Sequence, residues 1–146
     1  MRIQELLQHC NQAKITKEIS GVFYQKVVLI TGAAGSIGAE ITKVLAKHTH
    51  CELILVDQSE SGLYKLQQEL LLNNFNNFQL IIGNISDALQ MNSIFKMYSI
   101  DIVYHIAAYK HVPLIQENWY QAIKVNVVGT QIIANLSKQF KVAKFI

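Results

Sequence analysis

The sequence contains few cysteines, little charge and no long apolar run. Its two cysteines, Cys10 and Cys51, neighbour no metal-ligand pattern, so they predict reduced thiols, no metal site and a cytoplasmic protein. The formal net charge of +3 is small and scattered, which argues against a nucleic-acid partner. No apolar run approaches the ~18 residues of a membrane span, and the N-terminus lacks the apolar region of a secretory signal. These exclusions leave a globular domain, and 146 residues are enough for one domain with a buried core.

A glycine-rich turn between a strand and a helix is the main motif of the sequence. Residues 26–31 form a short apolar run rich in β-branched side chains, typical of a buried strand, and residues 39–47 show helical spacing. Between them, Gly32 permits a sharp turn, Gly35 allows the backbone to approach a pyrophosphate, and Gly38 allows close helix packing. Together these features predict a dinucleotide site with its phosphates at the start of the helix.

The second predicted strand ends in an acidic residue that fits the same site. Asp57 lies 19 residues after Gly38, where a carboxylate accepts hydrogen bonds from ribose hydroxyls. The carboxylate also repels a 2′-phosphate, so the cofactor is NAD or NADP with NAD favoured.

The spacing Gly-x-x-Gly-x-x-Gly differs from the Gly-x-Gly-x-x-Gly of other nicotinamide enzymes. The Lys-Ser/Thr pair of a nucleoside-triphosphate loop is missing after Gly38, which argues against that class of site.

Strands alternate with helices along the rest of the chain. After residues 26–31, further strands are predicted at 51–56, 79–82, 101–106 and 143–146, separated by helices at 59–74, 89–97 and 117–140. This alternation predicts an α/β fold, a Rossmann-type doubly wound parallel sheet of order 3-2-1-4-5. We expect residues 25–146 to form this domain, incomplete because the sequence stops inside strand five. Residues 1–24 are expected to be a helical extension that covers part of the sheet.

The helical and strand patterns also predict where several side chains lie. The inner face of the fourth helix is predicted to carry Ile123, Val127, Thr130, Ile133, Ala134 and Leu136. Trp119 and Tyr120, at the start of this helix, are expected to pack in the core, and the alternative is a lid or an interface patch. His105 lies inside an apolar strand, which favours a hydrogen-bonded core histidine over a catalyst.

Four stretches of the sequence, at 31–40, 53–60, 107–114 and 126–130, resemble one enzyme family. They resemble the nucleotide-sugar 4,6-dehydratases of bacterial surface-polysaccharide biosynthesis, of the UDP-N-acetylglucosamine 4,6-dehydratase type. This family belongs to the extended short-chain dehydrogenase/reductase superfamily. The run Ala-Ala-Tyr-Lys-His-Val-Pro at 107–113 is the most specific of the four. The resemblance covers nearly the whole chain, but only the cofactor-binding front half of the family's catalytic domain.

The resemblance implies a redox-neutral reaction on one bound cofactor. NAD(P)+ takes a hydride from C4 of the sugar, water leaves across C5–C6, and the hydride returns to C6. The resemblance further implies a UDP-sugar substrate and a homo-oligomer for the complete protein. It implies a cytoplasmic location, or the cytoplasmic face of the inner membrane if the complete protein carries an anchor.

The motif and the resemblance give one set of candidate cofactor contacts, most of which follow the ends of strands. The set comprises Gly32, Ala34, Gly35, Ser36, Ile37 and Gly38 at the turn, Asp57, Gln58 and Ser59 at the adenosine ribose, Asn84 and Ile85 at the adenine, Ala107, Ala108 and Lys110 after the fourth strand, and Asn126 on the fourth helix. By resemblance, Lys110 reaches a ribose or phosphate, and Asn126 holds backbone or water near the nicotinamide. Asn84 is equally interpretable as a turn residue that ends strand three.

No catalytic residue is predicted in this chain, because the family's catalytic elements follow strand five. Tyr120 and Lys124 have the spacing of a catalytic Tyr-x-x-x-Lys pair, but they open the fourth helix, whereas the family's pair lies on the fifth. We therefore expect the complete protein to be an enzyme and the 146 residues alone to lack turnover. Two alternatives remain open. One is a dinucleotide-binding module or subunit completed by another chain, and the other is a sugar-nucleotide 4-epimerase or reductase.

Overall fold

The computed structural model of the chain describes residues 21–146. The predicted N-terminal extension, residues 1–24, therefore lies outside the described residues except for its last four. Within these four, Phe23 is buried and its ring stacks on Tyr104 with centroids 6.3 Å apart. The end of this segment thus packs on the sheet, and the division into extension and domain stays a prediction.

Five parallel strands form a single sheet in the described part of the chain. The strands are β1 (Val27–Thr31), β2 (Glu52–Asp57), β3 (Phe78–Ile82), β4 (Ile102–His105) and β5 (Lys144–Phe145). They lie in the order β3-β2-β1-β4-β5, which confirms the predicted Rossmann-type sheet. The order reverses between β1 and β4, so the carboxyl ends of these two strands border a crevice of the kind that binds ligands in such sheets.

Helices connect the strands and cover both faces of the sheet. They are α1 (Ser36–His48), α2 (Glu60–Leu72), α3 (Ala88–Met97), α4 (Val112–Glu117), α5 (Trp119–Ala122), a π-helix (Ile123–Gly129) and α6 (Thr130–Gln139). Ser59 caps α2 by accepting from the Gly62 N–H, and Asp87 caps α3 by accepting from the Gln90 N–H. Among the helices of residues 21–146, none combines the length and apolar character needed to cross a membrane.

The central strands contribute side chains to two separate cores, because successive residues of a strand point to opposite faces. Val28 and Ile30 pack with leucines of α1 and α2 on one face. Leu29 packs with Met91 of α3 and Ile133 of α6 on the other face. All five side chains have no accessible surface. Burial on both faces explains why these strands read as continuous apolar runs rather than as alternating patterns.

The fourth helical region differs from its prediction. The sequence predicts one helix over 117–140, whereas the structure contains a break at Asn118 and a π-helix before α6. The region also begins earlier, at Val112, with Pro113 in the first turn. Backbone N–H groups of a first turn have no partner within the helix, so a proline there costs no helical hydrogen bond. The Asn118 Nδ2 donates to the Leu114 carbonyl oxygen at 2.9 Å, and this bond closes the end of α4.

The π-helix changes which side chains face the core. Ile123 and Val127, predicted on the inner face, are 48% and 58% exposed, whereas Val125 and Gly129 are buried. A π turn contains more residues than an α turn. The residues that face the core in the π-helix are therefore not those that an α-helical spacing predicts, and the prediction holds again at Ile133 of α6, which is buried. The predicted inner stripe is therefore wrong at its first two positions.

Two aromatic side chains at the start of α5 are exposed rather than buried. Trp119 and Tyr120 are each 63% exposed and contact one another edge to face, with ring centroids 6.3 Å apart. The expectation that they pack in the core is wrong. The helix α5 is only one turn long, and Ala122 is its only buried residue, so a single turn gives the aromatic rings no inward position.

The start of α1 lies against the turn that precedes it. A Cβ added to Gly38 would overlap the Gly32 carbonyl oxygen and lie 2.9 Å from the Ala33 Cα. These neighbours are backbone atoms, which cannot rotate away as a flexible side chain can. Packing therefore requires glycine at position 38.

We expect Gly38→Ala to lower the free energy of unfolding by at least about 1–3 kcal/mol, the usual cost of overpacking a close-packed site. Urea denaturation measures this quantity. Gly21→Ala is the matched control, since Gly21 is helical and an added Cβ there meets no atom within 4 Å. Helix propensity makes the control neutral or stabilising. Equal free energies of unfolding for the two variants would contradict the packing role of Gly38.

Candidate functional site

A cleft of about 350 Å³ opens at the carboxyl edge of the sheet. Its walls come from the ends of the first four strands and from the π-helix. The lining residues are Gly32, Gly35, Ser36, Ile37, Val56, Asp57, Gln58, Gly83, Asn84, Ile85, Ile106, Ala107, Ala108, Tyr109, Lys110 and Val125. The cleft thus lies at the crevice where the strand order reverses.

Backbone contacts fix the glycine turn at the base of the cleft. The N–H groups of Gly32 and Ala33 both donate to the Val56 carbonyl oxygen, at 2.9 and 3.2 Å. Gly32 has a φ of +71°, in the left-handed region that favours glycine. A Cβ at this position would lie 2.7 Å from the Ala107 nitrogen. The turn therefore brings the end of β1 into direct contact with the segment that follows β4.

The first turn of α1 faces the cleft without a side-chain cap. Its N-cap residue is Gly35, which has no side chain to accept from the N–H groups that begin with Ser36. By contrast, Ser59 and Asp87 cap α2 and α3. Uncapped N–H groups and the positive end of the helix dipole together favour an anion. This arrangement suits the pyrophosphate of a dinucleotide.

Asp57 joins the glycine turn to the start of α2. Its Oδ2 accepts from the Ala34 N–H and its Oδ1 from the Ser59 N–H, both at 2.9 Å. A carboxylate has about four lone-pair sites, so each oxygen keeps a site for a ligand hydroxyl. The Ala34 methyl group is accommodated because position 62 is glycine, where a Cβ would lie 2.8 Å from the Ala34 Cβ.

Asn126 of the π-helix holds the segment that follows β4. Its Oδ1 accepts from the Tyr109 N–H and its Nδ2 donates to the Tyr109 carbonyl oxygen, both at 2.8 Å. One side-chain amide thus satisfies both backbone groups of one residue. The next residue, Lys110, places its Nζ 3.4 Å from the Ser36 Oγ. Its positive charge therefore lies beside the uncapped turn of α1.

Asn84 uses its side-chain oxygen to form a turn after β3. The Asn84 Oδ1 accepts from both the N–H and the hydroxyl of Ser86, at 2.9 and 2.8 Å. These two bonds occupy both lone pairs of the amide oxygen. The predicted contact with adenine therefore needs another group of this segment, such as the backbone of Ile85, which also lines the cleft.

Most of the predicted cofactor residues line the cleft, and the others support it from behind. The lining members are Gly32, Gly35, Ser36, Ile37, Asp57, Gln58, Asn84, Ile85, Ala107, Ala108 and Lys110. Ala34, Gly38, Ser59 and Asn126 lie outside the lining and shape the turn, the helix start and the β4 segment. Sequence reasoning missed Tyr109, although its place between Ala108 and Lys110 was a usable signal. Contacts with a cofactor stay predictions.

A chain of hydrogen bonds through His105 links β1, β4 and the π-helix. The Thr130 hydroxyl donates to the Asn126 carbonyl oxygen at 2.7 Å, so it accepts from the His105 Nε2–H at 2.9 Å. The Nδ1 of the same ring then accepts from the Thr31 hydroxyl at 2.8 Å. Burial lowers the pKa of His105, which favours this neutral form. The ring therefore acts as a structural connector, in agreement with a hydrogen-bonded core histidine.

The Tyr-x-x-x-Lys spacing at 120–124 has no place in the cleft. Tyr120 and Lys124 are both exposed, and neither belongs to the lining.

Within residues 21–146, no group of three or more His, Cys, Asp or Glu side chains is placed to hold a metal ion. The uncapped start of α1 and the Asp57 carboxylate are the groups of the cleft that suit a phosphorylated, hydroxyl-bearing ligand.

Residues 28–146 match the protein family described as polysaccharide biosynthesis protein. The chain belongs to this family. The match runs from β1 to β5 and so includes every strand of the sheet and every residue that lines the cleft. It confirms the family resemblance that the glycine turn and the 107–113 run indicate.

Two curated relatives connect the family with polysaccharide synthesis and sugar dehydration. The capsular polysaccharide biosynthesis protein CapD of Staphylococcus aureus is 35% identical over 141 residues, which are 93% of this chain and 22% of that protein. The UDP-N-acetylglucosamine 4,6-dehydratase (inverting) of Campylobacter jejuni is 32% identical over 125 residues, 86% of this chain and 36% of the enzyme. The chain thus spans about a third or less of the length of these relatives.

A solved structure shows what a protein of similar fold binds. The UDP-glucose 4-epimerase of Bifidobacterium longum, in complex with NAD+ and UDP, has a TM-score of 0.69 and 25% identity to this chain. The similarity covers 82% of this chain and 36% of the epimerase. The fold of this family is therefore compatible with a nicotinamide dinucleotide.

We expect the thermal stability of the chain to fall between pH 7.5 and 5.5, in part through His105. Because burial lowers the pKa of His105, the unfolded state binds its proton first, from its usual value of about 6.5 downward. Stability is therefore fully present above that pH and is lost as the pH falls towards the folded-state pKa. In His105→Gln, this pH-dependent loss in melting temperature should be smaller than in the wild type by about 2 °C or more.

His50→Gln is the control for this experiment, because His50 is exposed and lies outside the hydrogen-bond chain. Its melting temperature should follow the wild-type dependence on pH. The same loss of melting temperature in His105→Gln as in the wild type would contradict a neutral, connecting His105.

Proposed function

We propose that this chain is the NAD(P)-binding part of a nucleotide-sugar 4,6-dehydratase that acts in surface-polysaccharide biosynthesis. The observation that carries the proposal is the uncapped start of α1, which follows Gly35 and lines the same cleft as Asp57. An anion site and a hydroxyl acceptor at this spacing match the pyrophosphate and the adenosine ribose of a dinucleotide. Family membership and a relative that is a UDP-N-acetylglucosamine 4,6-dehydratase support the choice of reaction.

In this proposal the chain binds and orients the cofactor. The N–H groups at the start of α1 hold the pyrophosphate, and Lys110 adds a positive charge beside Ser36. Asp57 accepts from the ribose hydroxyls, and the small residues Ala107 and Ala108 let the backbone lie against the ligand. When bound, the cofactor supplies a reversible hydride acceptor for C4 of the sugar.

The remaining parts of the reaction belong to the complete protein. The UDP-sugar substrate and the groups that remove the C5 proton and expel water are proposals for that protein, since the chain spans 36% of the Campylobacter enzyme. A 4-epimerase of similar fold is the alternative, because the structurally similar Bifidobacterium protein is a UDP-glucose 4-epimerase. The identity to the dehydratase, 32%, is higher than the 23–28% to solved UDP-glucose 4-epimerases, which supports dehydration.

We also propose that the complete protein is a cytoplasmic homo-oligomer. Several apolar side chains on α4, α5 and the π-helix are exposed, namely Val112, Leu114, Trp119, Tyr120, Ile123 and Val127, and such a patch marks an interaction surface. Sedimentation of the complete protein at micromolar concentration tests the assembly. A single monomeric species would contradict it.

Titration of the chain with NAD+ and NADP+ by calorimetry tests the proposed cofactor. We expect saturable binding with a preference for NAD+. Asp57→Asn should weaken NAD+ by about tenfold or more, because a charge-assisted hydrogen bond contributes about 1.5–3 kcal/mol. NADP+ should lose less affinity, because the variant removes the repulsion of the 2′-phosphate.

Glu52→Gln is the control for this titration, because it removes an exposed carboxylate at the opposite end of the same strand. It should leave both affinities unchanged. A folded wild-type chain that binds neither dinucleotide would contradict the proposed function.

A turnover assay separates dehydration from the alternatives. With UDP-N-acetylglucosamine and NAD+, we expect the 146 residues to form no 4-keto sugar, whereas a protein of full family length forms the 4-keto-6-deoxy product. Mass spectrometry detects dehydration as the loss of one water. A full-length protein that only inverts C4, without loss of water, would establish the epimerase instead.

A further inference from the structure

Two loops on opposite sides of the glycine turn are joined by a side-chain hydrogen bond. The Gln58 Nε2 donates to the Tyr109 hydroxyl at 3.0 Å. Gln58 follows β2 and Tyr109 follows β4, and β1 lies between these two strands in the sheet. A bond between them at the carboxyl edge therefore crosses over the turn at the end of β1. Both residues line the cleft, and both partners of the bond are exposed. The bond therefore lies at the solvent-facing opening of the cleft.

The backbone at each end of this bond is fixed. Both backbone polar groups of Tyr109 pair with the side chain of Asn126 at 2.8 Å. On the other side, the Asp57 carboxylate accepts from the Ser59 N–H at 2.9 Å, which holds the residues flanking Gln58. The two side chains can therefore part while these hydrogen bonds keep the neighbouring backbone in place.

A second contact crosses the same turn one residue further on. The Lys110 Nζ lies 3.4 Å from the Ser36 Oγ at the start of α1. Consecutive residues of the β4 segment thus reach β2 and α1, with the uncapped N–H groups of α1 beneath them. The Lys110 ammonium group therefore lies close enough to this helix start to contact an anion held there.

We propose that Gln58 and Tyr109 form a bridge that closes over the bound dinucleotide and slows its release. This inference rests on the proposed function, and it assigns Tyr109 a role in cofactor retention. The proposed reaction returns the hydride to the sugar, so the cofactor need not leave between turnovers, and slow release suits it. A single neutral hydrogen bond between exposed groups is weak, so the bridge also opens readily for entry.

The dissociation rate of NAD+ tests this inference, measured by stopped-flow displacement from the chain. Tyr109→Phe removes only the hydroxyl group and should raise the dissociation rate about two- to tenfold, the factor that corresponds to one neutral hydrogen bond. The association rate should change less, so the affinity should weaken by a similar factor. Gln58→Ala should have an effect of the same size.

The double variant distinguishes a bridge from two independent contacts. If the bond between the two side chains is responsible, Tyr109→Phe with Gln58→Ala should release NAD+ no faster than either single variant. Tyr64→Phe is the control, since Tyr64 is 61% exposed on α2 and does not line the cleft. Its dissociation rate and melting temperature should equal those of the wild type.

The outcomes separate this inference from the proposed function. A wild-type chain that binds NAD+ while Tyr109→Phe releases it at an unchanged rate would overturn the bridge alone. Additive effects in the double variant would also overturn it, because they show separate contacts with the ligand. A wild-type chain that binds no dinucleotide overturns both.

Discussion

The carboxylate of Asp57 is the interaction on which the cleft depends. It accepts from the Ala34 N–H on one side and from the Ser59 N–H on the other. These bonds connect the glycine turn after β1 with the loop that begins α2, so the two walls cannot separate without breaking two charge-assisted hydrogen bonds. Asp57 also lines the cleft, where we propose that a ribose binds. One charged group thus orders its own loops before a ligand arrives, which reduces the ordering cost of binding.

A second constraint acts on the opposite wall. The π-helix places Asn126 where its amide pairs with both backbone groups of Tyr109. At its end, Gly129 leaves room for Ile85, whose Cδ1 would lie 2.7 Å from an added Cβ. The π-helix therefore packs directly on the wall that follows β3 while it holds the wall that follows β4. A π turn at such a position agrees with the frequent occurrence of π-bulges at functional sites.

The sequence was sufficient for the sheet and the glycine turn, because their signals are local. Buried parallel strands read as apolar runs, and Gly32, Gly35 and Gly38 appear directly in the sequence. The π-helix was not predictable, since its register is set by packing of Gly129 on Ile85, a contact between distant residues. The hydrogen bonds of Asn84 with Ser86 and of Gln58 with Tyr109 also depend on side-chain geometry that no spacing rule contains.

His105 connects the two constraints. Its ring accepts from Thr31 at the end of β1 and donates to Thr130, whose hydroxyl donates to the Asn126 carbonyl oxygen. The His105 ring and the Thr130 hydroxyl each have one donor role and one acceptor role, so reversing the bond between them would leave the single Thr130 proton facing two acceptors. The glycine turn and the π-helix are thus held in one relative arrangement by polar contacts that all lie within residues 31–130. The shape of the cleft is therefore fixed by contacts among the described residues themselves.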